Sequence, residues 1–192
     1  HIPLADVAVV AQSHFATTGI ASAIGEQPLK GFTNIDAMVR MTVGEMLTNL
    51  VWAKISSFDD IKCSGNWMWP FKGSNDKYLL YEAVTKLSEF LIEIGISIDG
   101  GKDSLSMSSK VNKNIVKSPR TLVMSAYVTC PNINKVITPD FKDINNSIIF
   151  VDISDGRYRL GGSAFAQTTK QIGSDIPTVD NPFTLKNTFI KI

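Results

Sequence analysis

The sequence predicts an α/β (α+β) protein, a mixed sheet with helices packed on it. Two stretches carry apolar residues at helical spacing, Asn34–Lys54 and Leu80–Ile94, and short β-branched runs flank them, of which Ala5–Val10 and Leu122–Cys130 are the clearest. In order these give strand, helix, strand, helix, strand, strand. A length of 192 residues suits one domain of that kind followed by part of another.

Composition narrows the function classes. The chain is 44% hydrophobic and 19% charged with a formal net charge of +1, values of an ordinary globular protein. No cluster of Lys and Arg is available to meet a nucleic-acid backbone or an anionic membrane, so neither is an expected partner. No apolar run approaches the ~20 residues of a bilayer span, and no basic segment leads into an apolar one at the start, which predicts a cytoplasmic protein. The chain opens at His1 without Met, directly into an apolar run, and residues upstream are expected. Cys63 and Cys130 stand alone, without a Cys-x-x-Cys pair or a His at zinc-ligand spacing, and read as buried apolar residues. His1 and His14 have no acid at a readable spacing, so a Ser-His-Asp or Cys-His mechanism has no support.

The first strand, Ala5–Val10, lies between Pro3 and Ser13-His14 and is interrupted by one carboxylate, Asp6. Phe15–Ala23 is expected to form a short helix closed by Gly25, before a loop marked by Glu26-Gln27-Pro28 and Gly31. The long helix then starts at Asn34 as N-cap, with Asp36 in its first turn. Val39, Val43, Met46, Leu47, Leu50 and Ala53 form its core stripe, and Met38, Met41, Glu45, Asn49 and Trp52 lie on a neighbouring, also largely apolar face. Ile61–Trp69 reads as strand and loop, Lys72–Asp76 as a polar turn, and Leu80–Ile94 as a second helix capped by Gly95. Ile96-Ser97-Ile98 reads as a short strand running into Gly100-Gly101, and Leu122–Cys130 as the last strand of the unit. The polar stretch Pro131–Asn146 separates residues 1–140 from a following unit, 145–192, that begins with a strand at Ile148–Ile153 and a helix at Gly161–Ile172.

Three groups could carry chemistry. Glu45 and Asn49, four residues apart, stack on one helix face where their oxygens can converge, the arrangement a hard cation such as Mg²⁺ uses beside nucleotide phosphates. On spacing alone, a solvated Glu and Asn on a surface helix is the plainer reading. Asp6, as a lone carboxylate in an apolar strand, needs a cation, a donor or solvent, because burying it unpaired costs several kcal/mol; a capping or salt-bridging role is the plain alternative. Asp99-Gly100-Gly101-Lys102-Asp103-Ser104 combines close-approach glycines, a cation and a hydroxyl, residue types that contact phosphate, but it does not have the Walker A spacing, and a glycine turn with a solvated lysine suits it as well. Asn66-Trp67-Met68-Trp69 is either a stacking platform or core.

Together these stretches resemble the phosphoribosylformylglycinamidine synthases, or FGAR amidotransferases. The blocks carrying the resemblance are Pro3–Val10, Gly25-Glu26-Gln27-Pro28, Val43–Leu50, Lys62–Trp69, Asp99–Met107 and Thr138-Pro139-Asp140, all in order from about Ile2 to Gly173. The resemblance implies an internal piece of a much larger ligase of purine biosynthesis. Its fold would be an aminoimidazole-ribonucleotide-synthetase-like N-terminal subdomain and the start of the next. The implied chemistry uses ATP and Mg²⁺ to activate the amide oxygen of formylglycinamide ribonucleotide, which ammonia from a separate glutaminase domain then attacks; other synthetase domains of the parent chain would be its partners. Carried over by position, Asp6, Glu45 and Asn49 are implied Mg²⁺ ligands and Ala5 a nucleotide contact, where the nucleotide is consumed ATP or a held ADP. Gly100, Gly101, Lys102 and Ser104 belong to a family motif and are expected cofactor contacts. Two other readings remain, a different enzyme of that superfamily and a non-catalytic scaffold of the same fold.

Overall fold

The computed structural model describes residues 5–192, so His1 and the first two residues of the Pro3–Val10 block lie outside the described residues. Five strands form a mixed sheet in the order β1-β2-β7-β3-β4: β1 Ala8–Ala11, β2 Gly19–Glu26, β3 Lys62–Met68, β4 Ser97–Ser104 and β7 Thr121–Cys130. Neighbours are antiparallel except β3 and β4, which are parallel and joined by helix α2, Ser74–Ile94. A parallel pair needs such a crossover, because the chain must return to the same end of the sheet. A separate hairpin, β5 Ser108–Val111 and β6 Asn114–Lys117, turns at Asn112 with φ 55°.

The core lies between one face of the sheet and helices α1, Ile35–Leu50, and α2. Asn34 caps α1 as expected, its side chain accepting from the Ala37 amide at 2.9 Å. Val39, Val43, Met46, Leu47 and Leu50 are fully buried against the sheet. Each such side chain contributes about 1.5–3 kcal/mol by leaving water. Facing them, β7 buries Leu122, Met124, Ala126, Val128 and Cys130 at alternate positions, and β2 offers only small residues, Gly19, Ala21, Ala23 and Gly25. Helix α2 ends at Gly95, whose φ of 79° is the left-handed cap predicted for it.

Four expectations are corrected. Residues 19–26 form a strand, not the end of a helix, because they pair on both sides, with β1 and with β7, and their burial alternates strictly; such pairing overrides the modest helix preference of alanine. The short strand expected over 96–98, running into the glycine pair, is a longer one that continues through both glycines to Ser104. Ile148–Ile153 is not a strand, since no described strand lies beside it to form a ladder, and Ile148, Ile149 and Phe150 stay exposed. The helix expected over 161–172 is one short piece, α3 Ala164–Thr168; Gly162 takes φ 65° and Lys170 φ 56°, and the chain doubles back so that the Gly162 amide donates to the Ile172 carbonyl.

One helix escaped the sequence reading. Helix α4, Pro182–Lys191, starts at an Asn181 N-cap with Pro in its first turn, signals that could have revealed it. It packs on α2 and α1 with Leu185 buried in the common core, and the Phe189 ring meets Phe58 edge-on at 5.3 Å. Lys186 donates to the Ile94 carbonyl at 2.9 Å, satisfying one of the orphan acceptors at the end of α2.

Candidate functional site

Glu45 and Asn49 project from α1 toward the end of β2, and the strand itself holds them. The backbone amide of Glu26 donates to Glu45 Oε2 at 2.7 Å, and Gln27 Nε2 donates to the same oxygen at 2.8 Å. Asn49 Nδ2 donates to the Ile24 carbonyl at 2.9 Å. Both side chains are half-buried. Among the described residues, Glu45 Oε1 and Asn49 Oδ1 take no hydrogen bond. One carboxylate oxygen and one amide oxygen therefore stay available on the same helix face. Asn49 must present Oδ1, because a carbonyl partner demands its NH₂.

Gly25 makes the approach possible. A Cβ there would meet the Thr42 carbonyl oxygen at 2.1 Å and the Met46 nitrogen at 2.6 Å, so only glycine lets β2 lie directly on α1 and bring the Glu26 amide to Glu45.

Asp6 is exposed and stands two residues ahead of β1, rather than buried within a strand. The burial argument for a partner thus lapses, and its position carries the interest. The β1 ladder begins with Ala8 opposite Ser22, so Asp6 lies just beyond the paired register, toward the end of β2 where the Ile24 carbonyl receives Asn49. Ala5 precedes it and is also exposed. The donor set suits the implied ion: two carboxylates and an amide are hard oxygen ligands, few enough that phosphates and water would complete the shell of Mg²⁺. Among the described residues no group of three or more His, Cys, Asp and Glu side chains gathers as a protein-only metal site. A cavity of about 360 Å³ is lined by Glu45 together with Arg157, Arg159 and Asp180. Both arginines are tied to Asp180.

Sequence reasoning missed Lys30. It is 6% exposed, its ammonium donates to Gln27 Oε1, and Gln27 in turn donates to Glu45. Burial pushes the Lys30 ammonium below its ordinary pKa, while the nearby Glu45 charge works in the opposite direction. The block Gly25-Glu26-Gln27-Pro28 was visible as a motif, but nothing local tied it to Glu45.

Gly100, Gly101, Lys102 and Ser104 lie elsewhere. They sit on edge strand β4, separated from β2 by β7 and β3, three strand spacings or roughly 14 Å away. Gly101 is explained by packing, since a Cβ would stand 2.5 Å from the Gly65 carbonyl oxygen. Lys102 Nζ donates to the Asp103 carbonyl at 2.9 Å and to Ser104 Oγ at 2.6 Å. Gly100, Gly101 and Lys102 border a cavity of about 690 Å³ between this edge and α2, shared with Trp67 and Leu87. Trp69 is core, fully buried with its indole N–H on the Asp76 carbonyl at 2.8 Å, and Trp67 is half-buried. Both cysteines are buried as expected, and burial, with Asp99 adding to it, pushes the Cys63 thiol up to about 12.

A relative in Arabidopsis thaliana, "Probable phosphoribosylformylglycinamidine synthase, chloroplastic/mitochondrial", is 53% identical over 98% of this chain, which covers 14% of that protein. The Homo sapiens "Phosphoribosylformylglycinamidine synthase" is 43% identical over 97% of the chain, again 14% of the relative. The chain thus spans a small fraction of these relatives' length. Among solved structures, PurLQS from Thermotoga maritima matches with a TM-score of 0.54 and 18% identity over 70% of this chain and 21% of that one, a likeness of fold. The model of the FGAR-AT PurM_N-like domain matches residues 1–129, and the chain belongs to that family.

Proposed function

We propose that this chain contributes a magnesium-nucleotide site to a phosphoribosylformylglycinamidine synthase, the ATP- and glutamine-dependent ligase that converts formylglycinamide ribonucleotide to its amidine in purine biosynthesis. The observation that carries this reading is the pair of uncommitted oxygens, Glu45 Oε1 and Asn49 Oδ1, held on one face by fixed donations to and from β2. Asp6 is the proposed third ligand and Ala5 the proposed nucleotide contact; both precede β1, the strand that pairs with β2. Magnesium bound there would offset phosphate charge. The chain's own residues fix the ligand oxygens before the metal arrives, and the nucleotide is ATP or a retained ADP.

ATP or ADP, and formylglycinamide ribonucleotide, are the ligand classes proposed for the parent of this chain. Ammonia would come from the parent's glutaminase domain. Lys102, Ser104 and the two glycines form a separate proposed phosphate contact at the β4 edge. The division at 140–145 is likewise proposed; the family match ends at residue 129, and 131–153 adds no strand to the sheet. A cytoplasmic site of action is proposed too, and tagging the parent chain in its own cell tests it against the organellar location in the Arabidopsis name.

Calorimetry of ADP and ATP with Mg²⁺, on the intact parent chain and on Glu45→Ala and Asn49→Ala, tests the assignment. Loss of metal-dependent nucleotide binding in both variants supports it; unchanged binding in both returns the two side chains to a solvated surface role. A turnover assay on the same material separates consumed ATP from retained ADP.

A further inference from the structure

Gln27 and Lys30 have no role in the reading above, yet the structure spends a buried cation on them. Lys30 is 6% exposed, and its aliphatic stem is sealed by Gly162, where a Cβ would meet Lys30 Cγ at 2.9 Å and its backbone nitrogen at 3.1 Å. Its ammonium has one hydrogen-bond acceptor among the described residues, Gln27 Oε1. An ammonium can only donate, so the amide oxygen of Gln27 must face Lys30 and its NH₂ must face away. What it faces is Glu45 Oε2, at 2.8 Å, the oxygen also bound by the Glu26 amide. The direction of the whole chain of hydrogen bonds is therefore set by the buried charge at its end. Pro28 opens a 3-10 turn, Pro28–Phe32, that carries Lys30 back beneath Gln27. With the side chain reversed, Gln27 would turn a carbonyl toward a carboxylate and leave the ammonium beside an NH₂ group, two repulsions in poorly solvated surroundings.

We propose that Gln27 and Lys30 are positioning residues of the magnesium-nucleotide site: Lys30 fixes the orientation of the Gln27 amide, which pins Glu45 Oε2 and leaves Oε1 as the ligand oxygen. The inference rests on the reading given above. It assigns a purpose to the Gly25-Glu26-Gln27-Pro28 block, in which Gly25 lets strand meet helix, Glu26 and Gln27 hold one carboxylate oxygen, and Pro28 starts the turn that returns Lys30. Groups of this kind, bound to a ligand rather than to the metal, are typically worth ten- to a hundredfold in metal affinity.

The test uses the intact parent chain with Mn²⁺ and ADP, reading Mn²⁺ affinity and its electron paramagnetic resonance linewidth, and the melting temperature of the metal-free protein. Gln27→Met and Lys30→Met should each weaken Mn²⁺ binding about tenfold and broaden the signal as Glu45 gains freedom. The double variant should be no weaker than either single one, because both act through the same oxygen. Lys30→Arg, which restores the cation, should recover most of the affinity, a rescue that loss of packing alone does not predict. Should Lys30→Met fail to fold, Gln27→Met decides the matter, since it keeps the volume and removes both ends of the connection. Unchanged affinity in the singles with binding abolished in Glu45→Ala overturns the positioning role and leaves the nucleotide site standing. Losses that simply add in the double variant overturn it as well. Unchanged binding in Glu45→Ala overturns the nucleotide reading and this inference with it.

Discussion

Gly25→Ala puts the contact between fold and site to a direct test. The new methyl group would stand 2.1 Å from the Thr42 carbonyl oxygen and 2.6 Å from the Met46 nitrogen, both backbone atoms of α1 that no rotamer change can move aside. To bring 2.1 Å out to the 3.4 Å of ordinary contact, helix and strand must part by about 1.3 Å. Such overpacking costs about 1–3 kcal/mol. The same movement stretches the 2.7 Å bond from the Glu26 amide to Glu45, and a hydrogen bond to a charged group is worth about 1.5–3 kcal/mol. A loss of about 4 kcal/mol in all is expected, a large share of a typical domain's 5–15 kcal/mol. Urea unfolding followed through the fluorescence of buried Trp69 measures it, with Gly100→Ala as the control, since a Cβ at Gly100 finds only Ser64 Oγ at 3.8 Å. Stability of Gly25→Ala within about 0.5 kcal/mol of the control would show that β2 and α1 do not touch as described.

Two further outcomes are expected. Asp76, 1% exposed, binds Lys117 at 2.5 Å and Arg120 at 2.7 Å; burial pushes its pKa up, but those hydrogen bonds outweigh it and hold the carboxyl below its usual value. Its contribution is thus present above the unfolded value of ~3.9 and is lost as pH falls through the lower folded one; Asp76→Ala, which removes the shared partner of exposed Lys117 and part-buried Arg120, should cost about 1.5–3 kcal/mol at pH 7 and flatten the acid limb of an unfolding-versus-pH curve. Cys63, buried and with its thiol pushed up to about 12, should resist an aromatic disulfide reagent at pH 8 until the chain unfolds, and rapid labelling of the native protein would contradict that burial.

Some of this protein was decided by local sequence alone. The apolar stripe from Val39 to Leu50, the Asn34 cap, the α2 stripe ending at Gly95 and the run Leu122–Cys130 are all where spacing and cap chemistry put them, because helical periodicity and capping depend on residues a few positions apart. The same arithmetic placed Glu45 and Asn49 on one face. Resemblance to a family added a reason to look there, and the family match bears out the family itself.

Only the tertiary structure decided the rest, and in each case the deciding partner is distant in sequence. Residues 19–26 are a strand because β7, a hundred residues on, supplies the other half of the ladder. Ile148–Ile153 has the composition of a strand and lacks such a partner among the described residues, so it forms none. Gly100–Ser104 and Glu45 carry equally suggestive chemistry, and the order of strands keeps them apart, β4 at one edge of the sheet and β2 three strands away. The bond from Gln27 to Glu45 spans eighteen residues and depends on Gly25 lying flat on α1, while Lys30 is buried by Gly162 from the far end of the chain. Periodicity reports which face a residue takes; which surface that face meets is fixed only when hydrogen-bond partners and packed volumes from remote segments come together.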